Sequence, residues 1–149
     1  IVVLDQITKQ LVLRAITFGE TVEVLPPVFS LVLTYNRGAA FSFLAGAGGW
    51  QRELFTGIAL IASAWIVYLL RRHPQQTLFC VALALVLGGA IGNVIDRLMV
   101  GAVVDFLDFH AFGWHWPAFN VADSAITCGA ALLIWDGLFG GSASKNVNK

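Results

Sequence analysis

Three long stretches with almost no charge constrain this chain more than any other feature. Leu54–Leu70 runs 17 residues and Thr77–Ile95 runs 19 without a single ionisable side chain. Asn120–Phe139 is mostly apolar too, with Asp123 near its start and Asp136 near its end. A helix needs about 20 apolar residues, in a range of roughly 17–25, to cross the hydrocarbon of a bilayer. The whole chain has 149 residues, so these runs consume more than a third of it. Buried helices of a water-soluble protein would need polar faces to coat them, and only 12% of the residues are charged, against about a quarter in soluble domains. Nine acids balance nine bases, which leaves no basic excess for nucleic acid.

The segment from Ile1 to about Leu13 reads as the last part of a truncated apolar helix. No charged leader or small-residue cleavage site marks it as a signal peptide. Counting it, the expectation is an all-α membrane protein of four transmembrane helices, forming one integral membrane domain over residues 1–149. Between the first and second spans, Glu20–Phe43 is rich in β-branched and aromatic residues around Pro26-Pro27, and reads as short extramembrane strands. Gly46–Gly49 reads as a hinge. Between the third and fourth spans, Gly101–Pro117 carries Phe106, Phe109, Phe112, Trp114 and Trp116. Such density fits either an interfacial platform, where aromatic rings prefer to sit, or an extramembrane core. Cys80 and Cys128 lie inside apolar runs and read as packed thiols, not a disulfide.

Four spans put both ends of the chain on one side, with Arg71, Arg72, Lys145 and Lys149. The positive-inside rule would make that side cytoplasmic, although Arg14, Arg37, Arg52 and Arg97 fall on the other. The strands, the aromatic segment and most of the acids then face the other compartment. Asp5, Asp96, Asp105 and Asp123, with Asn36, Asn93 and Asn120, fall near span ends on that one side. A charge at the bilayer centre costs at least ~2.5–3.5 kcal/mol, so ionisable residues in spans are functional candidates.

Asp105 follows the third span and Asp123 opens the fourth, and the two spans are antiparallel neighbours. Two carboxyls brought together share one proton, the arrangement with which aspartic proteases activate water. Rival chemistries are poorly served. There is no HExxH, and His73, His110 and His115 lack zinc-ligand spacing. No GxSxG occurs, and the cysteines are expected in mid-helix, away from any histidine side chain. Several acids also have ordinary structural readings. Asp96-Arg97 reads as an ion pair ending the third helix, Asp5 and Lys9 as an i,i+4 pair, and Asp108 and Asp136 as solvated or interfacial charges. The same acids would suit a small transporter or proton relay, although no repeat symmetry between halves is visible. A scaffold packed through Gly88, Gly89 and Gly92 is a third reading.

Five motifs then stand in order: Asp5-Gln6-Ile7-Thr8-Lys9, Asn36-Arg37-Gly38-Ala39-Ala40-Phe41, Gly92-Asn93-Val94-Ile95-Asp96-Arg97, Val103-Val104-Asp105-Phe106 and Phe119-Asn120-Val121-Ala122-Asp123. Together they resemble the bacterial lipoprotein signal peptidase family, signal peptidase II, from Leu4 to about Ile134. The resemblance implies an intramembrane aspartyl endopeptidase of the bacterial inner membrane that needs no cofactor or metal. Its substrates would be prolipoproteins whose cysteine already carries a diacylglyceryl group, cut just before that cysteine. It implies Asp105 and Asp123 as the catalytic pair. Asn36, Arg37, Gly38, Asn93, Asp96, Arg97, Asn120 and Ala122 would support the site or bind substrate. Asp96 would hold Arg97, and Asp5 and Lys9 would brace the first helix. The resemblance also implies that membrane lipids surround the site and that globomycin-like inhibitors enter the same cleft.

Overall fold

The computed structural model describes residues 1–37 and 50–139. The elements run α1 (Val2–Ala15), β1 (Thr21–Leu25), β2 (Phe29–Asn36), α2 (Gln51–Arg72), α3 (Thr77–Met99), β3 (Val103–Ala111), β4 (Trp114–His115) and α4 (Val121–Phe139). Each uncharged run forms one helix, because backbone groups in lipid have no other partners than each other. Helices α2, α3 and α4 have 22, 23 and 19 residues and are long and apolar enough to cross a membrane. Helix α1 has 14 residues, a rise of about 21 Å against a hydrocarbon thickness of about 30 Å. Three helices of spanning length, not the expected four, are therefore present among the described residues.

Helix α3 is the centre of the bundle, touching α1, α2 and α4, with the most extensive packing against α4. Two glycines allow this approach. A Cβ on Gly89 would run into the Ala122 carbonyl oxygen, and one on Gly92 would fall 2.7 Å from Asp5 Oδ2. Small residues of this kind let helices pack closely where lipid supplies no hydrophobic drive. Helix α2 turns Ile58, Ile61 and Trp65 outward, as a lipid-facing helix does.

The strands form one antiparallel sheet in the order β1-β2-β3-β4. The expected strands between α1 and α2 are present. The aromatic segment is more than a platform: its first half is β3, a nine-residue strand hydrogen-bonded to β2. Val104 and Phe106 on β3 pack with Leu33 of β2 and with Val12 and Ile16 from the end of α1. That apolar cluster seats the sheet on the bundle. The remainder of the segment stays aromatic and open, with Trp114, Trp116 and Phe112 exposed. Cys80 and Cys128 are free thiols. The expected hinge at Gly46–Gly49, the Gly38-Ala39-Ala40 stretch, Lys145 and Lys149 lie outside the described residues.

Candidate active site

The site is assembled where the end of α3, the start of α4 and the strand β3 meet. Asn120 is its hub. It caps α4, its Oδ1 accepting the Asp123 backbone N–H at 2.8 Å, the hydrogen bond that asparagine makes at a helix start. The same side chain turns its Nδ2 to Asp105 Oδ1 at 2.7 Å, to the Val104 carbonyl at 3.2 Å and to Asn93 Oδ1 at 3.3 Å. One fully buried amide therefore ties the positions of Asp105 and Asp123 together. On the other side, Asn93 Nδ2 of α3 donates to Asp123 Oδ1 at 2.7 Å. Asn36, at the end of β2, hydrogen-bonds Asp105 from the neighbouring strand.

Asp105 therefore stands on a strand, not on a membrane helix. The turn through Val100 and Gly101, the latter at φ 83°, brings the chain back as β3, and the strand carries the carboxyl to the N-terminus of α4. It is 2% exposed. Burial, reinforced by the charge of Asp123, pushes its carboxyl up to about 7, although the Asn36 and Asn120 hydrogen bonds and Lys9 pull the other way. Desolvation of this kind penalises the ionised form.

A second polar cluster braces the site from behind. Lys9 of α1, 1% exposed, places its Nζ 2.8 Å from Asp5 Oδ2, 2.7 Å from Asp96 Oδ2 and 3.1 Å from Asn93 Oδ1. Asp5 Oδ1 accepts the backbone N–H of Ala122 at 2.9 Å, so an acid of α1 helps to hold the start of α4. Asp96 Oδ2 accepts the Val104 N–H at 3.0 Å and so anchors the strand that bears Asp105. The expected ion pair between Asp96 and Arg97 is replaced by this arrangement, because both Asp96 oxygens are already taken by Lys9, Val104 and Gln6. Arg97 instead donates to the Asn93 carbonyl at 3.3 Å and lies over the Phe55 ring. Its charge interacts with Asp123, Asp105 and Asp96, and its Nε is buried with no hydrogen-bond partner among the described residues.

Asp5, Lys9, Asn36, Asn93, Asp96, Arg97, Asp105, Asn120, Ala122 and Asp123 thus converge. Arg37 is exposed just beyond β2 and is not drawn into the cluster, and Gly38 lies outside the described residues. Gln6 was not expected in it. Its Nε2 donates to Asp96 at 2.9 Å and to the Gly92 carbonyl at 3.3 Å. Its place three residues before Lys9, on the same helix face, is the signal that could have found it. Asp108, expected to be a solvated or interfacial charge, is buried against His115.

With this geometry in hand, the family model described as Signal peptidase (SPase) II matches residues 1–139. The chain belongs to the signal peptidase II family. It is 60% identical over 138 residues to a lipoprotein signal peptidase of Paraburkholderia phymatum, covering 93% of this chain and 82% of the relative. It is 62% identical over 137 residues to one of Ralstonia nicotianae, covering 92% and 79%. A solved bacterial membrane enzyme, 35% identical, superposes with a TM-score of 0.84 over 99% of this chain and 87% of that one. A second shows 36% identity and a TM-score of 0.82. The family accounts for the membrane-type fold and makes this a multi-pass membrane protease.

Proposed function

We propose that this signal peptidase II chain, which removes signal peptides from prolipoproteins, does so by aspartic chemistry at Asp105 and Asp123. The observation that carries the proposal is the single buried amide of Asn120 linking the two acids. A water held between the carboxyls gives a proton to the Asp123 carboxylate as its oxygen attacks the scissile carbonyl. Asp105, whose carboxyl holds its proton up to about pH 7, protonates the carbonyl oxygen. As Asp123 passes its proton to the leaving nitrogen the C–N bond breaks, and the re-forming carbonyl returns its hydroxyl proton to Asp105, so the pair ends with one proton as it began. Asn93, Asn36 and Asn120 keep the acids oriented. Arg97, with a free buried Nε, supplies an N–H for substrate carbonyls that have left helical pairing.

The substrate is the prolipoprotein with a diacylglyceryl group already on its cysteine, cut immediately before that residue. Its acyl chains stay in the bilayer beside the helices, and globomycin-like compounds block the same cleft. Helix α1 serves as a fourth membrane segment of a single peptidase domain, and the site lies near the extracytoplasmic face of the inner membrane. Arg37 and Gly38 border the path of the peptide. The test is incubation of the purified enzyme with a diacylglyceryl-modified precursor and its unmodified counterpart. Cleavage of the modified precursor alone is the expected result, and equal cleavage of both would refute the substrate assignment.

A further inference from the structure

The tip of the sheet carries a second constellation that the peptidase chemistry does not use. Ala111 pairs with Trp114 across a two-residue turn, and His110 pairs with His115. Phe112 and Gly113, at φ 53° and 79°, supply the two left-handed residues that such a tight turn requires. Register therefore places two imidazoles opposite each other, with ring centroids 4.8 Å apart and planes 20° apart. Asp108 stands two residues before His110, on the same face of β3.

The side chains converge through like atoms. His115 Nδ1 lies 3.0 Å from both Asp108 oxygens. His110 Nδ1 lies 3.4 Å from Asp108 Oδ2, but it is buried and makes no hydrogen bond among the described residues. His115 lies against both carboxylate oxygens, and the His110 ring nitrogen is left facing Oδ2 without a hydrogen bond. One ligand atom from each residue falls within 4.8 Å of the others. Ligands at zinc distances of about 2.0–2.2 Å lie roughly 3.3–3.5 Å apart on a tetrahedral centre. His115 is 58% exposed, so its ring is free to make the small adjustment.

We propose that Asp108, His110 and His115 bind one divalent transition-metal ion, with Zn(II) the best match, which staples the β3–β4 hairpin. Two imidazoles and one carboxylate suit a borderline cation such as zinc, not calcium or magnesium. The ion satisfies the orphaned His110 nitrogen and offsets the buried Asp108 charge. Beside it, Phe109, Trp114, Trp116 and Phe119 line an apolar groove of about 490 Å³, and such a shell limits solvent access to a metal. Asp108 lies three residues along β3 from Asp105, about 10 Å at ~3.3 Å per residue. The ion is thus structural, apart from the reacting acids.

The test uses the full chain in detergent, stripped with EDTA and titrated with ZnCl₂ by calorimetry. Wild type is expected to bind one equivalent and to unfold at higher temperature when loaded. His115→Ala, at an exposed position that leaves folding intact, weakens binding at least about tenfold. His110→Ala/His115→Ala abolishes both binding and the thermal shift. Absence of saturable one-to-one binding in wild type would overturn the proposal. So would equal affinity in the double variant, which would put the ion elsewhere, at His73 or the cysteines.

Discussion

Two pairs of aspartates sit side by side in this protein, and their surroundings give them opposite characters. Asp5 and Asp96 close on a single ammonium group, Lys9 Nζ, within 2.8 Å of each. Asp105 and Asp123 close on amides from Asn93, Asn120 and Asn36, and neither forms an ion pair among the described residues. The first pair has a counter-ion in contact and holds α1, α3, α4 and β3 in place. The second has hydrogen-bond donors but no cation in contact, so a proton is the charge it can share. Residue type is the same in both. Where Lys9 points separates the pair that braces from the pair proposed to react.

That contrast can be broken from either side, and the largest effect belongs to the amide-bound pair. Asp105→Asn or Asp123→Asn keeps shape and removes the exchangeable proton. Precursor cleavage should fall on the order of 10⁴-fold with unfolding midpoints close to wild type. A variant that still cleaves at the normal rate would remove its aspartate from the chemistry. On the lysine-bound pair the effect is on stability. Lys9→Met strands two buried carboxylates and should cost about 3–5 kcal/mol, read by denaturant unfolding in micelles. Neutralising all three as Asp5→Asn/Lys9→Met/Asp96→Asn should recover most of that loss. No recovery would mean that the cluster holds the helices by shape, not charge.

Gly89→Ala tests the helix contact on which both pairs depend. Its Cβ meets the Ala122 carbonyl, and overpacking of this kind costs about 1–3 kcal/mol. Asn120→Ala loses the cap, about 1 kcal/mol, together with the buried hydrogen bonds to Asp105 and Val104, and carries a distinctive pH signature. Wild-type cleavage should decline as pH rises through about 7, because Asp105 then loses the proton it donates. Asn120 stabilises the ionised form of Asp105. Removing it raises the Asp105 pKa further, so the alkaline limb moves to higher pH. A limb that stays put or moves down would separate Asn120 from Asp105.

Much of this could be read from the chain. The uncharged runs give α2, α3 and α4 to within a few residues at each end, since a spanning helix has one dominant requirement. The crowding of Asp and Asn at one end of the spans points to the candidate site, because polar groups in lipid need a reason. What stayed hidden depended on register and on partners distant in sequence. Asp105 lies on a strand whose apolar faces are both buried at Val103, Val104 and Phe106, so no alternation announced it. Asp96 has a charged neighbour in Arg97, yet it pairs with Lys9, 87 positions away. Asp108 looked solvated because nothing in a linear reading shows that a two-residue turn folds His115 back upon it.

The proton proposed to be shared by the amide-bound pair is open to direct observation. Infrared titration of the Asp105 carboxyl, assigned by its loss in Asp105→Asn, should give a midpoint near 7 in wild type. In Asp123→Asn the neighbouring charge that raises it is gone, and the midpoint should fall. An Asp105 that titrates in the ordinary carboxylate range, unmoved by that substitution, would contradict the dyad.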